Sequence, residues 1–305
     1  MPIRWIAPIL VCAAILAGPI RAEAGFTPGH YFASSGPTIR EFLPDGTIVR
    51  TFRIGGSATR IVNGLAIGPD GLLYAVVENG FNSNGYVVLA LNNQGAIVQL
   101  HRCPDFGGGS ITNGQIAFDT SGHFYVGDGA GLARFPMVGN GPGILIYASP
   151  QTGITGVTGL PNGHMLITTE YVILEVTPAG TVVRELGASG QFSQLEGIAY
   201  DPSANVIYAT MDGDSLHQFL LMKIDPATGE VLSWTPFVYG ANIARTADGH
   251  LLVGSRTQSP ALFDANLNQV TQYTTIPPSL FVAVAPPGSP VRAYRAGARL
   301  SPGRD

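Results

Sequence analysis

The feature that most constrains this chain is the segment at 63–76, NGLAIGPDGLLYAV, which recurs along the sequence. Two apolar runs flank a Pro-Asp-Gly turn at 69–71, and this combination predicts a β-hairpin. Four later segments have the same form: GQIAFDTSGHFYVG at 114–127, GVTGLPNGHMLIT at 156–168, GIAYDPSANVIYAT at 197–210 and NIARTADGHLLVG at 242–254. Their turn residues are 51, 41, 42 and 44 residues apart. A repeat of this length is typical of propeller blades.

A second series of hairpins lies between these repeats. In each, a polar turn precedes a strand with β-branched residues: TIVRTF at 47–52, AIVQLH at 96–101, TVVREL at 181–186, EVLSWT at 230–235 and QVTQYT at 269–274. Each period therefore contains two hairpins, and four antiparallel strands make up a propeller blade. The third blade is the least regular, and its outer hairpin is expected to turn near 139–143.

The two ends of the repeat array predict how the ring closes. The segment at 281–294, FVAVAPPGSPVRAY, looks like one more inner hairpin, whereas the first hairpin, turning at 45–46, lacks an innermost strand. We therefore expect the C-terminal segment to supply that strand, so that no sheet edge is left open. The prediction is an all-β, six-bladed β-propeller of four-stranded antiparallel blades, closed by pairing of N- and C-terminal segments. Seven blades are the alternative, if the long step between Gly71 and Gly122 contains a degenerate blade.

The first 24 residues have the features of a secretory signal peptide. Arg4 precedes an apolar run at 5–20, and 22–24 form a small-x-small cleavage site. Cleavage after Ala24 would leave 281 residues, which we divide into a single propeller domain at 25–295 and a disordered tail at 296–305. No other segment has the ~18 to 20 apolar residues that a transmembrane helix needs. We expect an exported protein, periplasmic or secreted.

The amino-acid composition of the chain limits the classes of binding partner and cofactor that we expect. Without the leader the chain has 14 basic and 19 acidic residues, a net charge of −5. Nucleic-acid binding needs a basic surface, so we expect no nucleic-acid partner. Only Cys103 remains after cleavage, which excludes a disulfide within the mature chain. Motifs for nucleotide phosphates, zinc proteases and serine hydrolases are absent, and no nucleotide or haem cofactor is indicated. We expect a monomer.

The geometry of a propeller determines at which end of the ring each polar residue lies. The chain enters the first strand of each blade at the end where the second strand connects to the third; we call this the loop end. The opposite, turn end carries the Asp-Gly-type turns. Polar residues at the loop end surround the axial mouth and are the candidate ligand-binding residues: Arg60, Asn63, Glu78, Asn113, Asp128, Glu170, Asp212 and Arg256.

Several of these candidates also have a purely structural interpretation. Asn63 and Asn113 fit equally well as caps of the backbone before a strand, and Asp212 fits equally well in a solvated turn. Glu196 is the strongest candidate, because it lies where a strand becomes buried and carboxylates are seldom buried unless paired.

Oxygen ligands around one mouth are the donor set that hard cations such as calcium prefer. Glu196, Asn63, Asn113 and Asp214 are therefore the tentative metal ligands, and a divalent cation is the only cofactor indicated. Asp214 and His217 are the candidate catalytic residues, since the other repeat histidines, His123, His164 and His250, follow tight turns at the opposite end.

In repeats such as GLAIGPDGLLYAV and GIAYDPSANVIYAT, the chain resembles the NHL-repeat and regucalcin/gluconolactonase-like six-bladed propellers over most of its length. The resemblance implies a divalent metal on the axis, held by a Glu, Asn residues and an Asp, that opens a lactone or ester. Asn63, Asn113 and Glu196 lie at positions of that kind. The glutamate of that family lies in the first blade, whereas Glu196 lies in the fifth.

Two functions follow from these observations. The first is an exported propeller that uses its axial mouth to bind a small molecule, a peptide or a protein partner. The second is a divalent-metal-dependent lactonase or esterase-like hydrolase. The scarcity of histidines near the mouth favours binding, whereas the ring of carboxylates favours a metal.

Overall fold

The computed structural model describes residues 25–54, 61–78, 86–104, 114–128, 131–149, 153–188, 190–212, 219–237 and 240–286. Within these ranges the regular structure consists of 24 strands and no helix. In that described part, no segment is a helix of the length and hydrophobicity needed to cross a bilayer.

The strands follow the hairpin pattern of the sequence. The first blades contain β1 (Tyr31–Ser35), β2 (Thr38–Phe42), β3 (Ile48–Arg53), β4 (Val62–Ile67), β5 (Leu73–Glu78), β6 (Tyr86–Leu91) and β7 (Ile97–Arg102). The middle blades contain β8 (Ile116–Phe118), β9 (His123–Asp128), β10 (Gly131–Pro136), β11 (Ile144–Ala148), β12 (Ile154–Gly159), β13 (Met165–Thr169), β14 (Ile173–Val176) and β15 (Val182–Leu186). The last strands are β16 (Leu195–Asp201), β17 (Val206–Asp212), β18 (Phe219–Ile224), β19 (Val231–Pro236), β20 (Gly240–Arg245), β21 (Leu251–Ser255), β22 (Ala261–Phe263), β23 (Gln269–Gln272) and β24 (Phe281–Val284).

These strands form six antiparallel sheets of four strands, which confirms the six-bladed propeller; the seven-bladed alternative is wrong. Blades 2 to 6 are β4–β7, β8–β11, β12–β15, β16–β19 and β20–β23, each with its first strand nearest the axis. Blade 1 has the order β24-β1-β2-β3, so the C-terminal strand β24 is its innermost strand. In the register of that pair, Tyr31 lies opposite Val284 and Ser34 opposite Phe281. The ring closes as predicted; the expected return strand after β24 lies outside the described residues.

The tight turns of the inner hairpins have the backbone conformation that their sequences predict. The turn residues Gly71, Gly122, Gly163 and Gly249 have φ between 80° and 87°, and Asn205 has φ of 50°. Glycine adopts this left-handed region without steric cost, and asparagine tolerates it better than most residues. These turns therefore fix the register of each inner hairpin.

Hydrophobic packing between neighbouring blades forms the core. One position in the middle of each second strand contributes a buried side chain to it. The residues at this second-strand core position are all buried: Phe32, Tyr74, Tyr125, Leu166, Tyr208 and Leu252. The hydroxyls of Tyr74 and Tyr125 each donate to the aspartate of the preceding turn, Asp70 or Asp119, at 2.8 Å. Buried tyrosines usually find such a partner, so the ring can fill the interface while its hydroxyl stays hydrogen-bonded.

Four basic residues connect consecutive blades at the turn end. Each donates to a backbone carbonyl in the outer turn of the next blade: Arg50 to Asn93, Arg134 to Pro178 at 3.0 Å, Arg184 to Ala227 at 3.1 Å and Lys223 to Ala265 at 3.3 Å. The fold therefore uses a substantial part of its few positive charges for contacts between blades.

Candidate functional site

The loop end of the axis is built from β-bulges at the starts of the first strands. The register shifts between Val62 and Gly64 in blade 2, Ile154 and Gly156 in blade 4, Leu195 and Ile198 in blade 5, and Gly240 and Ile243 in blade 6. A bulge inserts an unpaired residue and re-aims its side chain, and bulges are over-represented next to functional sites. The predicted candidates Asn63 and Glu196 lie within two of these bulges and share a local geometry, and Thr155 lies in the equivalent bulge of blade 4.

Glu196 is paired with a cationic side chain. Its Oε2 lies 3.5 Å from Nη2 of Arg256, and the two side chains are 15% and 40% exposed. The structure thus brings together a predicted metal ligand and a predicted ligand-binding residue from neighbouring blades. A guanidinium beside the carboxylate is a competitor for any cation that would bind there.

The other predicted residues of the loop end fall into two groups. Glu78, Glu170 and Asp212 lie where second strands end, and all three side chains are half-buried. Glu170 forms a hydrogen bond with the hydroxyl of exposed Tyr171, and this bond raises the pKa of that tyrosine. Arg60, Asn113, Asp214 and His217 lie outside the described residues, as does the side chain of Asp128, the last residue of β9.

The described part of the predicted metal site does not make a metal centre. Among the described residues, no three His, Cys, Asp or Glu side chains gather in a way that could hold a metal ion. Of the four predicted ligands only Asn63 and Glu196 are described, and Glu196 faces Arg256. The described residues therefore do not make up a cation site by themselves, and the metal site stays a prediction that also depends on Asn113 and Asp214.

Next to the bulges, one residue of each first strand forms a ring around the axis. Phe281, Gly64 and Gly156 lie at this ring position in the register of their strand pairs, and Gln115, Gly197 and Asn242 come directly before the paired residues Ile116, Ile198 and Ile243. The glycines let the strands approach closely: a Cβ on Gly64 would lie 1.7 Å from the carbonyl oxygen of Gly114. A Cβ on Gly156 would lie 2.7 Å from Oε1 of Gln115. The small residues thus make room for one long side chain.

That side chain, Gln115, crosses the axis and connects three other blades. Its Oε1 accepts from the backbone N–H groups of Val157 and Ile198, both at 3.1 Å. Its Nε2 donates to the carbonyl oxygens of Ile198 at 2.7 Å and Ile243 at 3.3 Å. A buried amide whose donor and acceptor are both used is a stable element of a core. Because the side chain of Gln115 lies across the axis between these strands, it narrows the axial channel, and we call it the constriction.

An axial cavity of about 450 Å³ extends from this constriction to the turn end. Its wall consists mainly of apolar residues on the second halves of the first strands, among them Val157, Ile198, Ile243 and Val282. Asn242, which lines the inner part, uses its Oδ1 to accept from the N–H of Val282 at 3.3 Å. The exposed surface of the cavity is nearly as polar as apolar, because backbone groups and polar side chains lie between the apolar residues, and its size is typical of small-molecule sites.

The rim of the cavity at the turn end carries an ion pair. Arg245 lines the cavity, and its Nη2 lies 2.9 Å from Oδ1 of Asp201 and 3.1 Å from Oγ of Ser203. Burial alone would raise the pKa of Asp201, but hydrogen bonds from Ser203 and Ala204 and the charge of Arg245 lower it overall. Asp201 is therefore ionised at neutral pH and holds the guanidinium at the rim.

None of the described candidates from the sequence lines this cavity. Sequence reasoning placed the site at the loop end and missed Gln115 and Arg245. The sequence did contain a signal for Gln115. Read from the ring position, the five aligned repeats are GLAI, QIAF, GVTG, GIAY and NIAR, and Gln115 is the only long side chain among their first residues.

Six antiparallel four-stranded blades around a central cavity place the protein in the class of six-bladed β-propellers. The chain is similar to a propeller in the crystal structure of a nidogen/laminin complex, with 14% identity and a TM-score of 0.64, over 84% of this chain and 98% of that one. It is similar to a protein of unknown function from Bacteroides caccae, with 12% identity and a TM-score of 0.61, over the same shares of the two chains. A third similar structure is Kuenenia stuttgartiensis hydrazine synthase, with 15% identity and a TM-score of 0.55, over 77% of this chain and 73% of that one.

At these identities the similarity demonstrates the fold alone. No protein-family model matches the sequence, and no curated protein matches it. The propeller implied by the family resemblance is confirmed, and membership of the NHL-repeat or gluconolactonase-like families stays a prediction.

Proposed function

We propose that this protein is an exported binding propeller whose axial cavity holds a small molecule that enters from the turn end. The observation that carries the proposal is the cavity of about 450 Å³ between the first strands, narrowed on its loop-end side by Gln115. Ligand sites in proteins commonly have about 300–1,000 Å³ and mostly apolar walls. The wall here combines apolar side chains with nearly as much polar surface, so it favours a compact ligand with both apolar and hydrogen-bonding groups.

The polar groups around the cavity support binding more than catalysis. Gln115 and Asn242 both use their side chains in hydrogen bonds to the backbone, and Arg245 is held by Asp201. A catalytic group needs a reacting atom within hydrogen-bond reach and a suitable protonation state. The described lining contains no histidine, cysteine or carboxylate.

The test is a ligand-observed NMR screen of a fragment library against the mature protein and the Ala244→Phe variant. Ala244 lies half-buried in the cavity wall, so a phenyl group there would fill the space. We expect a set of fragments that bind the wild type and lose binding to Ala244→Phe. An identical set of fragments for both proteins would refute the proposal, provided that circular dichroism shows both to be folded.

The hydrolase is the second candidate function, and the two bulged residues Asn63 and Glu196 favour it. Its test is a thermal-shift titration with Ca²⁺ and Mg²⁺, repeated with Glu196→Gln. A metal-dependent rise in the melting temperature that this substitution abolishes would support a cation at the loop end and justify a screen of lactones and esters. No shift in either protein would count against the hydrolase.

A further inference from the structure

A second cavity lies at the turn end between blades 4 and 5. It has a volume of about 380 Å³ and is lined by Leu160, Pro161, Asn162, Glu175, Arg184, Tyr200, Asn205, Pro226 and Ala227. We call it the 4/5 groove. It adjoins the axial cavity, because Leu160, Pro161 and Tyr200 line both.

A cluster of three side chains, Glu175, Arg184 and His164, lies at one wall of this groove, which Glu175 and Arg184 line. Buried Glu175 on β14 accepts from Nε of Arg184 at 2.7 Å and lies 2.7 Å from Nδ1 of His164. Arg184 also donates to the carbonyl oxygen of Ala227 in blade 5. The His, Glu and Arg of this cluster are separated by 11 and 9 residues.

The same cluster recurs in blade 1 with the same separations. His30 and Glu41 are 11 residues apart with Nδ1 and Oε1 at 2.6 Å, and Glu41 and Arg50 are 9 residues apart and paired. Arg50 likewise donates to the carbonyl oxygen of Asn93 in the next blade. The register confirms the equivalence, since Phe32 lies opposite Glu41 as Leu166 lies opposite Glu175. The interface between blades 1 and 2 is therefore an internal comparison for the 4/5 groove.

In the interface between blades 1 and 2, the chain's own residues 25–26 fill the equivalent space. Phe26 is 3% exposed and packs edge-to-face on Phe32 and Phe52, with ring centroids at 4.9 and 5.9 Å. The guanidinium carbon of Arg50 lies 5.9 Å from the centroid of the Phe26 ring.

Backbone hydrogen bonds hold the same two residues. The N–H of Phe26 donates to the carbonyl oxygen of Gly71 at 3.3 Å, and Nδ2 of Asn93 donates to the carbonyl oxygen of Gly25 at 3.4 Å. Gly71 and Asn93 lie in the inner and outer turns of blade 2, as Asn205 and Ala227 lie in those of blade 5. An extended aromatic segment thus occupies the first interface.

The 4/5 groove has the same wall but leaves apolar surface partly uncovered. Ala285 and Ile67, at the turn end of the first interface, are 1% and 8% exposed. Their register equivalents in the 4/5 groove, Leu160 and Tyr200, are only half-buried. This greater exposure is expected of a groove that no equivalent of Phe26 covers.

The sequence explains why this groove is open. The second-strand core position holds a tyrosine in blades 2, 3 and 5, but the shorter Leu166 in blade 4. In blade 1 the residue at that position is Phe32, and Phe26 packs against it. Blade 4 therefore has no aromatic ring at this position, and the buried ring of Phe192, which packs in the same interface, does not line the groove.

We propose that the 4/5 groove binds an extended peptide segment of a partner protein and takes one phenylalanine side chain, in the way that the first interface takes Phe26. The ring would lie between Leu160 and Tyr200, with Arg184 against its face, as Arg50 lies against Phe26. The backbone N–H of the phenylalanine would donate to the carbonyl oxygen of Asn205. This site shares Leu160, Pro161 and Tyr200 with the axial cavity, but the proposal does not depend on what that cavity binds.

The test uses the hexapeptide Gly-Phe-Thr-Pro-Gly-His, amidated at its C-terminus, which has the sequence of residues 25–30. Binding to the mature protein is measured from backbone amide chemical shifts. We expect shifts at Asn205, Ala227 and Tyr200 that saturate with peptide concentration. Replacing the phenylalanine of the peptide by alanine is expected to weaken binding about tenfold or more, because the apolar area of the ring is lost.

Leu166→Tyr is the decisive variant, because three other blades carry tyrosine at this position and the fold accommodates it there. We expect it to fold and to lose peptide binding, since its ring would occupy the groove. Tyr208→Phe, at the same position in blade 5, is the matched control and should bind the peptide as the wild type does.

Three results would overturn the proposal. The first is no peptide binding to the wild type. The second is equal binding to the wild type and to folded Leu166→Tyr. The third is a dimer of the wild type, seen by analytical ultracentrifugation without peptide, that Leu166→Tyr abolishes; the occupant would then be a second copy of this chain.

Discussion

Replacing Gln115 by leucine tests whether the axis is held together by one amide. Gln115 is 6% exposed, and its side chain makes four hydrogen bonds to the first strands of blades 4, 5 and 6. Leucine has a similar volume, so the substitution removes the hydrogen bonds and leaves little new space. The buried backbone groups of Val157, Ile198 and Ile243 would then lose their partner on the axis.

The expected magnitude follows from these four bonds. A hydrogen bond within a protein contributes a net ~1 kcal/mol, and the bond to Ile243 at 3.3 Å contributes less. Gln115→Leu should therefore lower the free energy of unfolding by about 3 kcal/mol, a large part of the roughly 5–15 kcal/mol of a typical domain. Gln115→Glu should be less stable at neutral pH than at acidic pH, because only the protonated carboxyl can donate to the carbonyl oxygens of Ile198 and Ile243.

Equilibrium urea unfolding of the protein from residue 25 onward measures this difference. The control is Gln94→Leu in the exposed outer turn of blade 2, which should change the free energy of unfolding by less than about 0.5 kcal/mol. A loss below about 1 kcal/mol for Gln115→Leu would refute the view that this amide connects the blades.

Three further predictions follow from single contacts. Burial alone would raise the pKa of Glu175, but hydrogen bonds from His164, Arg184 and Asn162 lower it overall. Ionised Glu175 therefore contributes its full stabilisation of the folded protein above the ordinary carboxyl pKa of about 4.3. This contribution is lost as the pH falls through the lowered pKa of the folded state. Glu175→Gln should cost about 1–3 kcal/mol at pH 7 and flatten acid unfolding below about pH 4, and an unchanged acid profile would contradict this. Gly64→Ala should cost about 3 kcal/mol or more in urea unfolding, because its Cβ would lie 1.7 Å from a backbone oxygen; wild-type stability would contradict the close approach of the strands. Glu196→Gln should change stability by at most about 1 kcal/mol, because its partner Arg256 is 40% exposed, and a large drop in melting temperature without added metal would show that Glu196 is structural.

The fold was predictable from sequence because its signals are local. Each inner hairpin carries its own turn residue, such as Gly71 or Asn205, and its own alternation of apolar residues. Ring closure was predictable as well, since a first blade without an inner strand and an extra strand at the C-terminal end complete each other.

The candidate site was only partly predictable because its contacts are long-range. Gln115 bonds to residues 42, 83 and 128 positions away, and no local pattern encodes these partners. Phe26 likewise fills an interface whose walls include Gly71 and Asn93. The loop-end candidates were chosen from strand order, which places Glu196 beside the axis but does not reveal its pairing with Arg256.

The central claim is that the axial cavity opening toward the turn end, rather than the axial mouth at the loop end, holds the small-molecule ligand. The most direct measurement is a map of backbone amide chemical-shift changes in the deuterated protein from residue 25 onward, titrated with the strongest fragment from the screen. The account predicts that the shifts cluster on the cavity-lining residues Thr158, Ala199 and Ala244. Shifts confined to the bulged strand starts at Asn63 and Glu196 would contradict it and return the site to the loop end.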